Sequence, residues 1–288
     1  MSGVSRRRFL VSSAALVAAA TTSGCGLFDD EEPEVVTRPY GDHPLQVGDL
    51  WVPVDTVAPR PVVVLIHGGY WQAGFNRSLM DDLARDLAGR GFAVWNVDYR
   101  VLGDGGGWPE TFDDLGRGVD LLADLATERR LDLGRVVTVG HSAGGTLAVW
   151  AAARATIPAG SPGADPRVLP CAAVSLAGVL DLAECADQGR GSGACSAVMG
   201  GHPGEVAERY DTAAPLQLVP LGVPTLVAHG TADEVVPVSD AQRYAEAARA
   251  AGDAVELLVI EDVGHFELIE PDRPAWQAVA DRLPALCP

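Results

Sequence analysis

Short apolar runs rich in β-branched residues alternate with segments of helical period along most of the chain. Strands are predicted at 48–54, 62–67, 93–99, 136–140, 172–177, 225–229 and 255–260. Helices are predicted at 78–90, 112–129, 143–154, 240–251 and 274–286. Buried strands that alternate with amphipathic helices are typical of a mostly parallel sheet covered by helices. The sequence therefore predicts one domain of the α/β class.

The beginning of the chain has the pattern of an export signal. Three arginines at 6–8 precede an apolar run at 10–20, which is too short to span a bilayer and is typical of a twin-arginine signal peptide. Cys25 ends a lipobox-like stretch, and we expect this cysteine to be lipidated. The alternative is ordinary cleavage of the signal peptide nearby, which would leave Cys25 as a free thiol. Residues 26–40 are predicted as an acidic tether before a folded domain at 41–288. We expect an extracytoplasmic, membrane-anchored protein or, alternatively, a secreted one.

Charge and residue usage exclude several classes of function. The formal net charge is -18, so nucleic acid is not an expected partner. All 21 basic residues are Arg, which excludes a P-loop lysine, a PLP Schiff base, the protein-kinase lysine and a Ser–Lys dyad. The six His are scattered and no Cys-x-x-Cys occurs, so we expect neither a metal site nor a cofactor.

Four cysteines lie in the predicted folded domain, an even number in a protein whose export signal predicts an oxidising compartment. Cys185 and Cys195 flank the Gly-rich loop 188–193 and form the expected local disulfide. That pairing leaves Cys171 with Cys287. The sequence permits the other connectivities as well, and free buried thiols are the alternative.

A Gly-x-Ser-x-Gly pattern at 140–144 joins a predicted strand to a predicted helix. The apolar run 136–139 precedes it and a helical stretch at 146–152 follows, which is the context of a nucleophile elbow. A Cβ at either glycine would collide with the neighbouring strand and helix. The sharp turn is then expected to leave the serine strained and exposed. Ser142 is therefore the predicted nucleophile.

A serine hydroxyl needs a base that takes its proton and a carboxylate that orients the base. Asp233 lies in the loop after the predicted strand 225–229, and His265 lies in the loop after the predicted strand 255–260. Catalytic groups of open α/β sheets lie at the carboxyl ends of strands. The order Ser142, Asp233, His265 is that of the α/β-hydrolases.

Other residues of these loops are rivals for the same roles. Glu234 and Asp240 could orient the base, and His202 or His229 could be the base. His229 closes its strand directly, which favours a structural histidine bonded to backbone. His141 is expected to fill space behind the elbow. Asp233 and His265 remain the predicted acid and base.

The predicted strand that ends at His67 continues into Gly-Gly-Tyr-Trp. Small residues at such a strand end let backbone N–H groups approach a developing negative charge. The predicted oxyanion donors are the N–H groups of Gly69, Tyr70 and Ala143, with Gly68 as the alternative.

Together these motifs resemble the α/β-hydrolase superfamily over 45–288, and 67–71 with 140–145 is similar to its esterase and kynurenine formamidase branch. The resemblance implies the α/β-hydrolase fold, a mostly parallel sheet flanked by helices, with a small lid supplied by 181–220. It implies a serine carboxylesterase that cleaves small-molecule esters through an acyl-enzyme. Thr146 stands where formamidase relatives often carry His, which favours the esterase over an arylformamidase acting on N-formylkynurenine-type amides.

Two further functions rank below these. The pattern at 229–237 is similar to prolyl-oligopeptidase-type (S9-like) peptidases, but the propeller that normally restricts their substrates is lacking. A surface-anchored binding protein that no longer catalyses is the alternative from another class. A complete set of nucleophile, base and acid argues against it.

Overall fold

The computed structural model describes residues 32–54 and 59–287. The predicted signal peptide, Cys25 and the first part of the predicted tether lie outside the described residues. The strands are β1 Glu34–Pro39, β2 Val47–Val52, β3 Arg60–Ile66, β4 Ala93–Val97, β5 Leu131–His141, β6 Ala172–Leu176, β7 Thr225–Gly230 and β8 Val255–Ile260. The helices are α1 Asp81–Gly89, α2 Glu110–Asp120, α3 Leu122–Arg129, α4 Ala143–Ala153, α5 Leu182–Asp187, α6 Arg190–Met199, α7 Ala207–Ala213, α8 Val238–Ala250, α9 Pro274–Ala280 and α10 Leu283–Leu286.

The strands form one sheet in the order β1-β2-β4-β3-β5-β6-β7-β8. Strand β2 is antiparallel to both of its neighbours, and all other pairs are parallel. The seven predicted strands are all present, and the predicted fold class is confirmed. Because β3, β5, β7 and β8 are parallel, the loops that follow them lie together at the carboxyl ends of these strands.

Side chains of the central strands point alternately into two apolar cores. On β3, Val62 and Val64 belong to the core that contains α2, α3, α4 and α8, whereas Val63 and Leu65 belong to the core that contains α1, α9 and α10. Both faces of strand β3 are thus buried from solvent. This is why the strand reads as a continuous apolar run, and burial of each such side chain contributes about 2 kcal/mol.

The predicted start of the folded domain at residue 41 is wrong. Residues Glu34–Pro39 form β1, which pairs with β2 at the edge of the sheet. Most of its residues are exposed, and Val35 is 47% exposed. An edge strand is held by backbone hydrogen bonds and needs no apolar run, so hydrophobic periodicity does not reveal it. The predicted tether is therefore shorter than 26–40.

The predicted helix at 274–286 is two helices, α9 and α10. Pro284 occupies the first turn of α10, where the N–H that proline lacks would have no helical acceptor. The long predicted helix at 112–129 is likewise divided, at Leu121, into α2 and α3.

Both expected disulfides are present. Cys171, the residue before β6, is bonded to Cys287, and Cys185 of α5 is bonded to Cys195 of α6. The segment predicted as a lid, 181–220, contains α5, α6 and α7. Within the part of the chain that the structure describes, no helix is long and apolar enough to cross a bilayer.

Candidate active site

Ser142 stands alone between β5 and α4, with φ 55° and ψ -119°. A Cβ on Gly140 would overlap the carbonyl group of Gly144, and a Cβ on Gly144 would overlap the carbonyl oxygen of Ile66. The two glycines therefore allow the serine's strained conformation, as the sequence predicts. The expected exposure is wrong, because Ser142 is only 4% exposed. Segments distant in sequence cover the elbow.

Asp233 and His265 come together from the loops after β7 and β8. The Nδ1 atom of His265 lies 2.7 Å from Oδ2 of Asp233. The other carboxylate oxygen of Asp233 accepts the backbone N–H groups of Val235 at 2.8 Å and Val236 at 2.9 Å. Two backbone donors thus determine how the carboxylate presents its second oxygen to the imidazole.

The carboxylate of Asp233 is buried yet ionised. Burial by itself raises the pKa of this group, but hydrogen bonds from His229, His265 and the Val236 N–H outweigh burial and hold the pKa well below its ordinary value. A charged acceptor strengthens the hydrogen bond to the imidazole. It also places the proton of a neutral His265 on Nδ1, so that Nε2 has a free lone pair.

The elbow contacts the imidazole through the residue before the serine. The ring centroids of His141 and His265 are 4.6 Å apart, and Nε2 of His141 donates to the carbonyl oxygen of His265 at 2.9 Å. Burial, with a smaller effect from the neighbouring His265, lowers the pKa of His141 to about 3. His141 is therefore neutral and supports the backbone of His265.

Three of the four rival residues lie away from the acid and base, and the fourth, His229, also contacts the predicted acid. His229 donates from Nε2 to the carbonyl oxygen of Val236 at 2.8 Å, as expected of a structural histidine, and the same nitrogen lies 3.3 Å from Oδ2 of Asp233. His202 is exposed in the lid segment, where its Nδ1 atom lies 3.9 Å from the carboxylate of Asp187. Asp240 is buried and forms ion pairs with arginines, and Glu234 is exposed.

The turn after β3 lies directly against the elbow. Gly69, Tyr70 and Trp71 all have positive φ values, of 110°, 56° and 55°. Their turn approaches so closely that a Cβ on Gly68 would lie 3.0 Å from Cβ of Ser142. Within the described residues, the N–H groups of Gly69 and Tyr70 donate to no protein acceptor. The N–H of Ala143 is in the first turn of α4, where a helical N–H has no acceptor in its own helix.

His67, the residue after β3, packs firmly at the carboxyl end of the strand. The ring of His67 stacks on Tyr99 with centroids 4.4 Å apart, and the Tyr99 hydroxyl donates to the carbonyl oxygen of His67 at 2.8 Å. Burial lowers the pKa of His67, and the Nδ1 atom lies 2.7 Å from the carbonyl oxygen of Gly68. The turn after β3 thus packs on the buried rings of His67 and Tyr99.

A cleft of about 320 Å³, including the part that opens to solvent, begins at the elbow. Ser142, Ala143, Val179, Val235 and Val236 are among the residues that line it. The remaining lining residues come from the turn after β3 and from the lid segment: Tyr70, Trp71, Cys185, Arg190, Gly191 and Cys195. The predicted lid segment therefore forms part of the wall, which explains the burial of Ser142.

Sequence reasoning missed the anchor of this wall. Arg190 forms hydrogen bonds from two guanidinium nitrogens to the carboxylate of Asp240, at 3.0 and 3.3 Å. Arg243 donates to Asp240 at 2.9 Å and to Asp181 at 2.9 Å. Arg190 and Asp240 are fifty residues apart, and no local pattern predicts such a pair.

The fold and the elbow define a protein of the α/β-hydrolase class. The family model that matches residues 48–247 is BD-FAE, and the chain belongs to this family of α/β-hydrolase-type esterases. The solved structures that it resembles include a truncated carbohydrate esterase from gut microbiota, with a TM-score of 0.78, 18% identity, and coverage of 90% of this chain and 98% of that one. They also include propionate-bound esterase Est2 of Thermogutta terrifontis, with a TM-score of 0.70, 25% identity, and coverage of 89% and 94%.

The curated relatives are esterases as well. Esterase LipC of Mycobacterium tuberculosis is 29% identical over 84% of this chain and 62% of its own length. Isoprenylcysteine alpha-carbonyl methylesterase ICME of Arabidopsis thaliana is 25% identical over 81% of this chain and 56% of its own length. The chain thus spans less than two thirds of either relative. The finer resemblance to kynurenine formamidase stays a prediction.

Proposed function

We propose that this protein is an exported serine hydrolase of carboxylic esters, with Ser142 as nucleophile, His265 as general base and Asp233 as the residue that orients the base. The observation that carries the proposal is the 2.7 Å contact between His265 Nδ1 and the buried, ionised Asp233, beside a strained serine elbow. A binding protein has no use for this combination. Membership of an esterase family favours ester bonds as the substrate.

In the proposed reaction, Nε2 of His265 takes the hydroxyl proton of Ser142 as the oxygen attacks the ester carbonyl carbon. The N–H groups of Gly69, Tyr70 and Ala143 stabilise the negative oxygen of the tetrahedral intermediate, and each such donor typically contributes about 3 kcal/mol to lowering the barrier. The imidazolium then protonates the departing alcohol. Water, deprotonated by the same imidazole, releases the acid from the acyl-enzyme.

The test is hydrolysis of p-nitrophenyl acetate together with labelling by a fluorophosphonate probe. Purified wild-type protein should do both, and Ser142→Ala should do neither. Ser161→Ala, which removes a serine hydroxyl away from the cleft, is the matched control and should behave as wild type. A wild-type protein that neither hydrolyses esters nor reacts with the probe would support the binding-protein alternative.

The same assay separates the esterase from the other hydrolases. N-formylkynurenine and a prolyl peptide p-nitroanilide are offered in parallel with the ester. We expect kcat/KM to be highest for the ester. A clear preference for the formamide would support the arylformamidase, and one for the anilide would support the peptidase.

Export and anchoring form a separate part of the proposal. The two disulfides agree weakly with an oxidising compartment. In detergent phase separation of cells that express the full chain, the protein should enter the detergent phase, and Cys25→Ala should move it to the aqueous phase. A wild-type chain already in the aqueous phase would indicate a secreted protein.

A further inference from the structure

We propose that the disulfide between Cys185 and Cys195 is a wall of the acyl pocket and restricts the enzyme to esters of short, uncharged acyl groups. This inference rests on the proposed function, since it concerns the group that becomes attached to Ser142. Both cysteines line the cleft that begins at Ser142. The disulfide thus belongs to the substrate pocket as well as to the lid segment.

The cleft is narrow and apolar beside the disulfide. Cys185 and Cys195 are 3% and 2% exposed, and Val179 and Val236, which line the same cleft, are buried too. These groups offer no strong hydrogen-bond donor or acceptor to a substrate. Buried side chains of this kind can yield little space to a longer chain without a shift of the backbone.

The position of the disulfide is held from several directions. It closes a loop in which Gly189, Gly191, Ser192 and Gly193 all have positive φ values. Gly191 lies so close to Tyr70 that a Cβ there would be 2.7 Å from the ring. The loop therefore contacts the turn proposed to bind the oxyanion, and displacement of the disulfide would change the width of the cleft.

Arg190 is the charged residue among those that line the cleft, but its charge is compensated. Its guanidinium group forms two hydrogen bonds to the fully buried carboxylate of Asp240. Asp240 in turn accepts a hydrogen bond from Arg243. Arg190 thus acts as an anchor for the loop, and the pocket offers no uncompensated charge to an anionic acyl group.

The acyl group occupies the narrow cleft because the alcohol must leave and water must enter while the acyl group stays bonded to Ser142. The alcohol therefore needs the side that opens to solvent. Phe266, which is not among the residues that line the cleft, is 54% exposed, and its ring centroid lies 5.1 Å from that of His265. The enzyme should therefore discriminate among acyl groups more strictly than among alcohols.

The experiment compares kcat/KM for p-nitrophenyl acetate, butyrate, hexanoate and octanoate. Wild-type protein should prefer acetate or butyrate, because a pocket that lacks room for a methylene group discriminates by roughly tenfold or more. In the double variant Cys185→Ala/Cys195→Ala, the ratio of the hexanoate value to the acetate value should rise by about tenfold. The matched control, Cys171→Ala/Cys287→Ala, removes the disulfide remote from the cleft and should keep the wild-type ratio.

An unchanged ratio in a folded Cys185→Ala/Cys195→Ala variant that still cleaves acetate would overturn the inference and leave the proposed function intact. Loss of activity toward all four esters in that folded variant would also overturn it, because the disulfide would then be needed for catalysis rather than for selection. If the variant does not fold, wild-type protein is assayed after mild reduction, with peptide mapping to show which disulfide has opened. The ratio should then rise only with opening of Cys185–Cys195.

Discussion

The orientation of the Asp233 carboxylate is determined by the backbone, which makes Asp233→Asn a sharp test of the proposed triad. One carboxylate oxygen accepts the N–H groups of Val235 and Val236, and the other faces Nδ1 of His265. An asparagine must keep its carbonyl oxygen toward the two N–H groups. Its NH₂ group would then face His265 and donate to Nδ1.

This reversal of donor and acceptor changes the tautomer of His265. With Nδ1 as the acceptor, the proton of the neutral imidazole moves to Nε2, which can no longer accept the proton of Ser142. The same exchange of acid for amide in another Ser-His-Asp enzyme lowers kcat by about 10⁴-fold. A loss of that size corresponds to about 5.4 kcal/mol in the barrier. We expect a loss of roughly 10³- to 10⁴-fold here, with KM changed only a few-fold.

The assay is steady-state hydrolysis of p-nitrophenyl acetate by wild type, Asp233→Asn and Glu234→Gln. Glu234 is the exposed neighbour of Asp233 and was a rival for its role, so Glu234→Gln is the matched control and should keep wild-type kcat. Thermal melting of each variant shows whether the fold is retained. A folded Asp233→Asn variant with kcat within tenfold of wild type would refute the assignment of Asp233.

Three further predictions concern stability and the elbow. Because the pKa of His141 is about 3 in the folded protein and about 6.5 in an unfolded chain, the unfolded state binds an extra proton between these pH values. The free energy of unfolding should therefore fall by up to about 1.4 kcal/mol per pH unit as the pH drops below about 6.5. Urea titrations at several pH values should show a weaker dependence of this free energy on pH for His141→Gln than for wild type. An equal dependence in both proteins would contradict the prediction. Loss of the disulfide in Cys171→Ala/Cys287→Ala should lower the free energy of unfolding by about 4–5 kcal/mol, because it closes a loop with a sequence separation of 116, and an unchanged urea midpoint would show that the chain is held otherwise. Gly144→Ala should destabilise the protein by about 1–3 kcal/mol and lower kcat, since a Cβ there meets a carbonyl of β3, whereas Gly204→Ala, with open space at its Cβ, should be silent in both assays.

Much of the fold could be predicted because strands within the sheet are rich in apolar residues. Each of the seven predicted strands is a short apolar run and is present with bounds that differ by a few residues, and six of the seven are parallel to one another. The residues proposed for catalysis were recognisable for the same reason. Ser142, Asp233 and His265 each lie just after a predicted strand, and parallel strands bring their carboxyl ends to one edge.

The sequence by itself determined the α/β class and predicted the elbow, the acid and the base, since these depend on local patterns or on the order of strands. It also favoured the two disulfides that are present, although other pairings stayed open. Only the tertiary structure showed the edge strand Glu34–Pro39, the burial of Ser142 beneath the lid segment, and the ion pair of Arg190 with Asp240. None of these leaves a periodic signal. An edge strand depends on backbone hydrogen bonds, and the cleft depends on side chains that packing brings together from distant parts of the chain.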